Sequence, residues 1–252
     1  MLPTPWILCP YPNVSADSRL FCFPYAGSGA SVYRAWQGGL PANVELLPIQ
    51  LPGRENRMVE KPLDCLSRLC DTVVDVLGPY FEPPFAFFGH SLGALIAFEL
   101  TRELRHRGLP LPTALFVSGR EAPRVLDLDP PLHPLPEDAF IRELCQRYGG
   151  IPQEVLEEPE LLKLLIPALR ADLTMNETYG YVEKEPLACP IYAYGGLQDA
   201  RVSRADLDAW QRETRDTFIV RMFPGGHFFI QSARDRVLQE LSEDLQQVLA
   251  VV

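Results

Sequence analysis

The sequence predicts an α/β fold: a mostly parallel sheet flanked by helices, with a helical insertion ahead of its last two strands. Three observations carry this. Short apolar runs alternate with stretches of helical periodicity. One such run passes into a helix-like stretch through Gly89-His90-Ser91-Leu92-Gly93. From about Val125 to Glu185 the alternation stops and no clear strand can be read.

The strand candidates, in order, are Leu20–Phe23, Val44–Ile49, Phe85–Phe88, Ala114–Ser118, Ile191–Tyr194 and Thr217–Met222. Most are near-continuous apolar runs, the pattern of a parallel strand covered on both faces. Thr217–Met222 alternates more, with Arg221 between apolar neighbours, and fits a position near an edge. Helix candidates are Leu66–Leu77, Leu92–Arg107 and Ser232–Leu249. The last carries Val237, Leu241, Leu245, Val248 and Leu249 on one stripe and Glu240, Glu243 and Asp244 elsewhere. The strandless region opens with Pro130, Pro131, Pro134 and Pro136 and continues in two helical patches, Glu137–Tyr148 and Glu160–Leu173. It reads as a helical insertion placed like a lid.

Composition sets outer limits. The chain has 252 residues, 47% of them hydrophobic and 22% charged, enough for one large α/β domain. No stretch approaches the ~18 uninterrupted apolar residues of a membrane span. The opening Met1-Leu2-Pro3-Thr4-Pro5-Trp6 has neither a basic region nor an apolar core, so a signal peptide is not expected and the cytoplasm is. The net charge of −10 argues against nucleic acid and anionic membranes as partners. Cysteines 9, 22, 65, 70, 145 and 189 form no C-x-x-C pair and read as buried thiols, with no support for a metal site. A monomer is expected.

A Gly-x-Ser-x-Gly between a strand and a helix is a nucleophile elbow. The turn leaves no room for side chains at Gly89 or Gly93 and puts Ser91 at its tip, with the Leu92 N–H beside it. Ser91 then needs a base. Four histidines are available. His90 lies inside the elbow, where its ring cannot readily face its neighbour; His106 ends the following helix; His133 lies among prolines. His227 follows Pro224-Gly225-Gly226 directly after the last strand candidate, where a glycine-rich loop can carry an imidazole over the sheet. An imidazole titrates near pH ~6.5 and can take and return a proton at neutral pH. A carboxylate must orient it, and in hydrolases with this elbow the chain order is Ser, acid, His. Asp199, after the Ile191–Tyr194 strand, satisfies the order; Asp206, Asp208 and Asp172 are rivals. For the oxyanion, Leu92 N–H is one donor. The loop Phe23-Pro24-Tyr25-Ala26-Gly27-Ser28-Gly29-Ala30 supplies the second, from Ala26 or alternatively Tyr25. The same loop lacks the spacing of a phosphate cradle or a dinucleotide fingerprint.

Five segments occur in one order: Phe23-Pro24-Tyr25-Ala26-Gly27, Gln50-Leu51-Pro52-Gly53-Arg54-Glu55-Asn56-Arg57, the elbow, Gly195-x-x-x-Asp199-x-x-Val202, and Gly225-Gly226-His227-Phe228-Phe229. Together they resemble the type II thioesterases that accompany polyketide and nonribosomal peptide synthases, to which the animal fatty-acid chain-terminating thioesterase is similar. The resemblance spans nearly the whole chain. It implies an α/β-hydrolase fold, with residues 1–124 and 186–252 as the core and 125–185 as the lid. It implies Ser91, Asp199 and His227 as the triad and Ala26 and Leu92 as the oxyanion hole. Members often have His at the position of Tyr25 and Gly at that of Ser28.

The implied substrate is an acyl group on the phosphopantetheine of an acyl or peptidyl carrier protein domain, removed in an editing role without any cofactor or metal of the enzyme's own. Leu161, Leu162, Leu164, Leu165, Leu169 and Leu173 are candidates to line an acyl chamber, most of them as core. Arg54, Glu55 and Arg57 read as structural ion pairs. Arg120, Arg124, Arg201 and Arg204 are candidate cations for an acidic carrier. The competing readings are a carboxylesterase for oxygen esters, a chain-cyclising synthase domain and a synthase-docking protein without turnover.

Overall fold

A computed structural model describes residues 4–9, 12–81, 84–125, 129–148 and 153–249. Met1, Leu2 and Pro3 of the opening segment, and residues 126–128 and 149–152 of the expected insertion, lie outside the described residues. Six strands form one sheet: β1 (Ser18–Phe23), β2 (Val44–Pro48), β3 (Phe85–His90), β4 (Ala114–Ser118), β5 (Ile191–Gly196) and β6 (Phe218–Phe223). Their order is β2-β1-β3-β4-β5-β6, and every pairing is parallel. The strand order reverses between β1 and β3. In an open α/β sheet, the carboxyl ends flanking such a reversal form the natural crevice for a ligand.

Alternation along the central strands sorts side chains into two cores. Phe21 and Phe23 of β1 and Phe85 and Phe87 of β3 face one layer, built on α1 (Leu66–Leu77) and α2 (Leu92–His106). Phe21 meets the rings of Phe81, Phe85 and Phe87 edge-on at 5.1, 5.8 and 5.9 Å. Leu20 and Cys22, with Ala86 and Phe88, face the other layer, covered by α8 (Arg234–Leu249) and the 3-10 helix Ala30–Gly39. That short helix was not expected; Tyr33 and Trp36, three apart, pack into the core at the period a 3-10 helix provides.

The two sheet edges differ. β6 is mostly half-buried, as its mixed pattern predicts. β2 is buried throughout, and the N-terminal segment pairs with the chain at its carboxyl end. Leu8 N–H donates to Pro48 O, Gln50 N–H donates to Trp6 O, and Ile7 bridges Ile49. β3 and β5 each run two residues further than their apolar runs, since Gly89, His90, Gly195 and Gly196 keep their pairing with neighbouring strands. The expected helix from Ser232 is two helices, α7 (Phe229–Ser232) and α8, broken at Ala233.

Between β4 and β5 lie α3 (Glu137–Tyr148), α4 (Gln153–Leu156) and α5 (Pro159–Glu177). Leu132, Phe140, Leu144, Ile166 and Leu173 give this region a small core of its own. Arg170 lies 4.1 Å over the Phe140 ring and donates to the carbonyls of His133 and Leu135. After Glu177 the chain returns along α2, where Arg102 donates to Val182 O and Arg105 to Glu185 O. No helix among the described residues is long and apolar enough to cross a membrane. None of the six cysteines forms a disulfide; Cys22, Cys70 and Cys189 are buried, while Cys9, Cys65 and Cys145 are partly exposed.

Candidate active site

The elbow joins β3 to α2. Ser91 sits at φ 53°, ψ −115°, a backbone region that residues with a Cβ rarely enter. Crowding explains how it is held there. A Cβ on Gly89 would lie 2.1 Å from Gly93 O, and one on Gly93 would lie 2.1 Å from Phe23 O. Ser91 N–H donates to Ser118 O of β4 at 2.7 Å. The end of β1, the neighbouring strand and the first turn of α2 therefore enclose the serine backbone.

Two further loops meet at the ends of β5 and β6. Leu197 N–H donates to Phe223 O, Gln198 N–H to Gly225 O, and Gly225 N–H to Gln198 Oε1 at 2.6 Å. A Cβ on Gly196 would lie 2.5 Å from Gly226 O, so glycine at 196 is what lets the loops close. This stitching brings His227 Nδ1 to 2.8 Å from Asp199 Oδ2. The Asp199 side chain is fully buried, and its Oδ1 accepts the N–H groups of Arg201 and Val202. Burial alone would raise its pKa. The His227 hydrogen bond and charge, with those two amides, outweigh burial and hold the carboxyl below its usual range. An ionised carboxylate only accepts, so His227 carries its proton on Nδ1 and leaves Nε2 for other work.

Ser91 and His227 line one pocket together with Tyr25, Ala26, Leu92, Leu144, Tyr148, Leu169, Leu173, Asn176 and Phe228, around a cavity of about 70 Å³. Among the described residues, the N–H groups of Ala26 and Leu92 have no acceptor. Ser28 donates from both N and Oγ to Tyr25 O, at 3.1 and 2.7 Å. That carbonyl shares a peptide plane with Ala26 N–H, and a trans peptide points the two in opposite directions. The Ala26 amide therefore faces away from the body of its loop. The Tyr25 ring packs edge-on against Phe228 and His90, and its hydroxyl accepts from Gln231 Nε2.

The rival groups have other partners. Asp206 caps α6 (Arg204–Asp208) through Ser203. Asp208 pairs with Arg204, and His133 pairs with Glu177. His106 is exposed at the end of α2. His90 is fully buried with Nδ1 2.9 Å from Ser118 Oγ and its ring 5.2 Å from that of His227. Burial, then the nearby His227 charge, push its pKa well below the ordinary histidine value. Asp172 forms a buried pair with Arg54.

Of the six leucines, Leu169 and Leu173 line the pocket, whereas Leu161 and Leu164 are exposed. Leu144 and Tyr148 of α3 and Asn176 of α5 also line it and were not foreseen. Leu169, Leu173 and Asn176 follow an i, i+4, i+7 spacing that already marks one helix face. Arg54 and Arg57 form the expected ion pairs, with Asp172 and Glu60. Glu55 instead accepts from the Ser31 hydroxyl at 2.5 Å. Arg120 is buried and donates to Asn176 Oδ1, which removes it from any docking surface. Arg124 pairs with Glu213 and Arg201 with Asp129, and among the four candidate cations only Arg204 is largely exposed.

A thioesterase domain family model matches residues 18–245. The gramicidin S biosynthesis protein GrsT of Aneurinibacillus migulanus is 42% identical over 245 residues, covering 97% of this chain and 95% of that protein. A Brevibacillus parabrevis protein named linear gramicidin dehydrogenase LgrE is 41% identical over 250 residues, 98% of this chain and 95% of its own. Among solved structures, the type II thioesterase BorB from the borrelidin biosynthetic cluster superposes with a TM-score of 0.85 at 33% identity, covering 98% of each chain.

Proposed function

The chain belongs to the thioesterase family, among the type II thioesterases, and from that premise we propose that it hydrolyses acyl groups from the phosphopantetheine thiol of carrier protein domains through a Ser91-His227-Asp199 triad. The observation that carries this is His227, held by the buried Asp199, on the same pocket as the strained Ser91, above the strand-order reversal. GrsT is named for gramicidin S biosynthesis, and BorB is a type II thioesterase of the borrelidin biosynthetic cluster. An editing role in polyketide or nonribosomal peptide synthesis follows as the reading for this chain.

The chemistry runs in two halves. His227 Nε2 takes the Ser91 hydroxyl proton as Oγ attacks the thioester carbonyl. The N–H groups of Ala26 and Leu92 receive the oxyanion, helped by the positive end of α2. The C–S bond breaks, and the thiol leaves with the proton from His227. Water, deprotonated by His227, then attacks the acyl-serine, releasing a carboxylic acid and restoring Ser91. No cofactor enters; the acyl group arrives on the partner's phosphopantetheine. We place the lid at residues 125–185, with Leu144, Leu169 and Leu173 against the acyl chain. A cavity of about 70 Å³ has room for only a few waters, so an acyl chain enters as these helices shift.

The test is mass spectrometry of a panel of acyl-carrier proteins, and of the enzyme, after mixing. The expected result is loss of the acyl mass from the carrier, with a transient acyl adduct on the Ser91 peptide. Carriers left acylated while simple oxygen esters are cleaved would replace this function with that of a carboxylesterase.

A further inference from the structure

The Leu51-Pro52-Gly53-Arg54-Glu55 segment contributes nothing to the chemistry above, yet it reaches the edge of the site. Arg54 and Asp172, 118 positions apart, form a two-pronged ion pair: Nη1 to Oδ2 at 2.6 Å and Nη2 to Oδ1 at 2.8 Å. The Asp172 side chain is fully buried and that of Arg54 nearly so. Each also holds the loop after β1. Asp172 Oδ2 accepts Gly27 N–H at 2.7 Å, and Arg54 Nη1 donates to Ser28 O at 3.2 Å. Asp172 belongs to α5. One turn earlier on the same face, Leu169 packs against Gly27, where a Cβ would come within 2.8 Å of the leucine Cδ1. So the helix that covers the pocket also grips the residue next to Ala26, once by hydrogen bond and once by packing.

A buried ion pair is a poor source of stability, because removing both charges from water offsets most of their attraction. Its value here is geometric. The Gly27 and Ser28 peptide planes on one side of Ala26 are fixed by Arg54 and Asp172; Tyr25 O on the other is fixed by Ser28. We propose that Arg54 and Asp172 are positioning residues that make the oxyanion hole depend on the seating of α5. With α5 in place the Ala26 amide is aimed at the thioester carbonyl. With α5 displaced, Gly27 loses its acceptor and the hole opens. This rests on the reading above that Ala26 supplies an oxyanion donor.

The experiment uses Asp172→Asn, and the double variant Arg54→Met with Asp172→Leu, which removes both buried charges together and so spares the fold an unpaired one. An alkyl fluorophosphonate counts competent Ser91 sites at its endpoint. Activity on an acyl N-acetylcysteamine thioester is then expressed per titrated site, and affinity for an alkyl boronic acid reads the tetrahedral state. Both variants are expected to lose about 10- to 100-fold in kcat, with KM within about twofold and boronate affinity falling in step with kcat. A structural role alone would lower Tm and the number of titrated sites but leave kcat per site unchanged; that result overturns the proposal. So does a rise in KM at constant kcat. If the wild-type protein itself is not labelled at Ser91, the triad reading fails instead, and the two failures are told apart by that control.

Discussion

The elbow at Ser91 and the roof at α5 border one pocket, but they are built by opposite means. The elbow is made by backbone. Glycines at 89 and 93 leave no space for a Cβ, and a main-chain hydrogen bond to Ser118 holds a serine in a conformation it would not choose. The roof is made by side chains: Leu169 and Leu173 fill, Asp172 and Asn176 bond, and a small separate core supports them. Backbone construction tolerates no drift, which suits chemistry that needs atoms placed within a fraction of an ångström. Side-chain construction can be repacked, which fits the proposal that this surface selects acyl chains and shifts to admit them.

Substitutions separate the two. Ser91→Ala is expected to lower kcat about 10⁶-fold while carrier binding persists; retained turnover on carrier-bound thioesters would remove the elbow from the chemistry. Asp199→Asn keeps the shape but frees the wrong imidazole tautomer, with an expected loss of about 10⁴-fold in kcat. A loss below about tenfold would show that the Asp199 contact does not orient the base. On the roof, Leu173→Ala should reduce stability by about 2–5 kcal/mol, read by urea denaturation, because its buried side chain belongs to the small core under the roof. Leu169→Phe should shift preference toward shorter acyl chains by about 10- to 100-fold in kcat/KM, with the elbow untouched. An unchanged chain-length profile would mean Leu169 does not face the acyl group.

The smallest effect concerns His90, behind the elbow. Buried and neutral, it takes up no proton in the folded state at a pH where the unfolded chain does. Below about pH 6.5 the unfolded state therefore binds more protons, and stability falls as pH drops toward the depressed folded value. His90→Gln removes this contribution, so Tm should decline less between about pH 7 and pH 5 than in the wild type. Parallel pH profiles of Tm would assign the acid sensitivity to other groups.

The same contrast explains what could be read from sequence. Leu66–Leu77 and Ala114–Ser118 match their observed bounds, because local periodicity and burial on both faces set them. The elbow and the His227 loop were legible because glycines mark backbone constraints, and backbone constraints are local. The roof was not. Asp172 figured only as a rival for the triad, since nothing near it in sequence announces a guanidinium 118 positions upstream. Tyr148 and Asn176 escaped notice because which face of a helix looks into a pocket depends on how that helix crosses the sheet. Glu55 departs from the expected ion pair because its partner is a hydroxyl, Ser31, from another segment.

The short stretch before β1 has a practical consequence. By pairing with Pro48 and Gln50 it occupies main-chain groups at the end of β2 that could otherwise pair with another chain. Trimming residues 4–9, or fusing a tag that pulls them away, would free those groups and leave that end of the edge open to a second chain. On the opposite flank, Arg221 of β6 ties the last strand to Asp244 and Glu240 of α8.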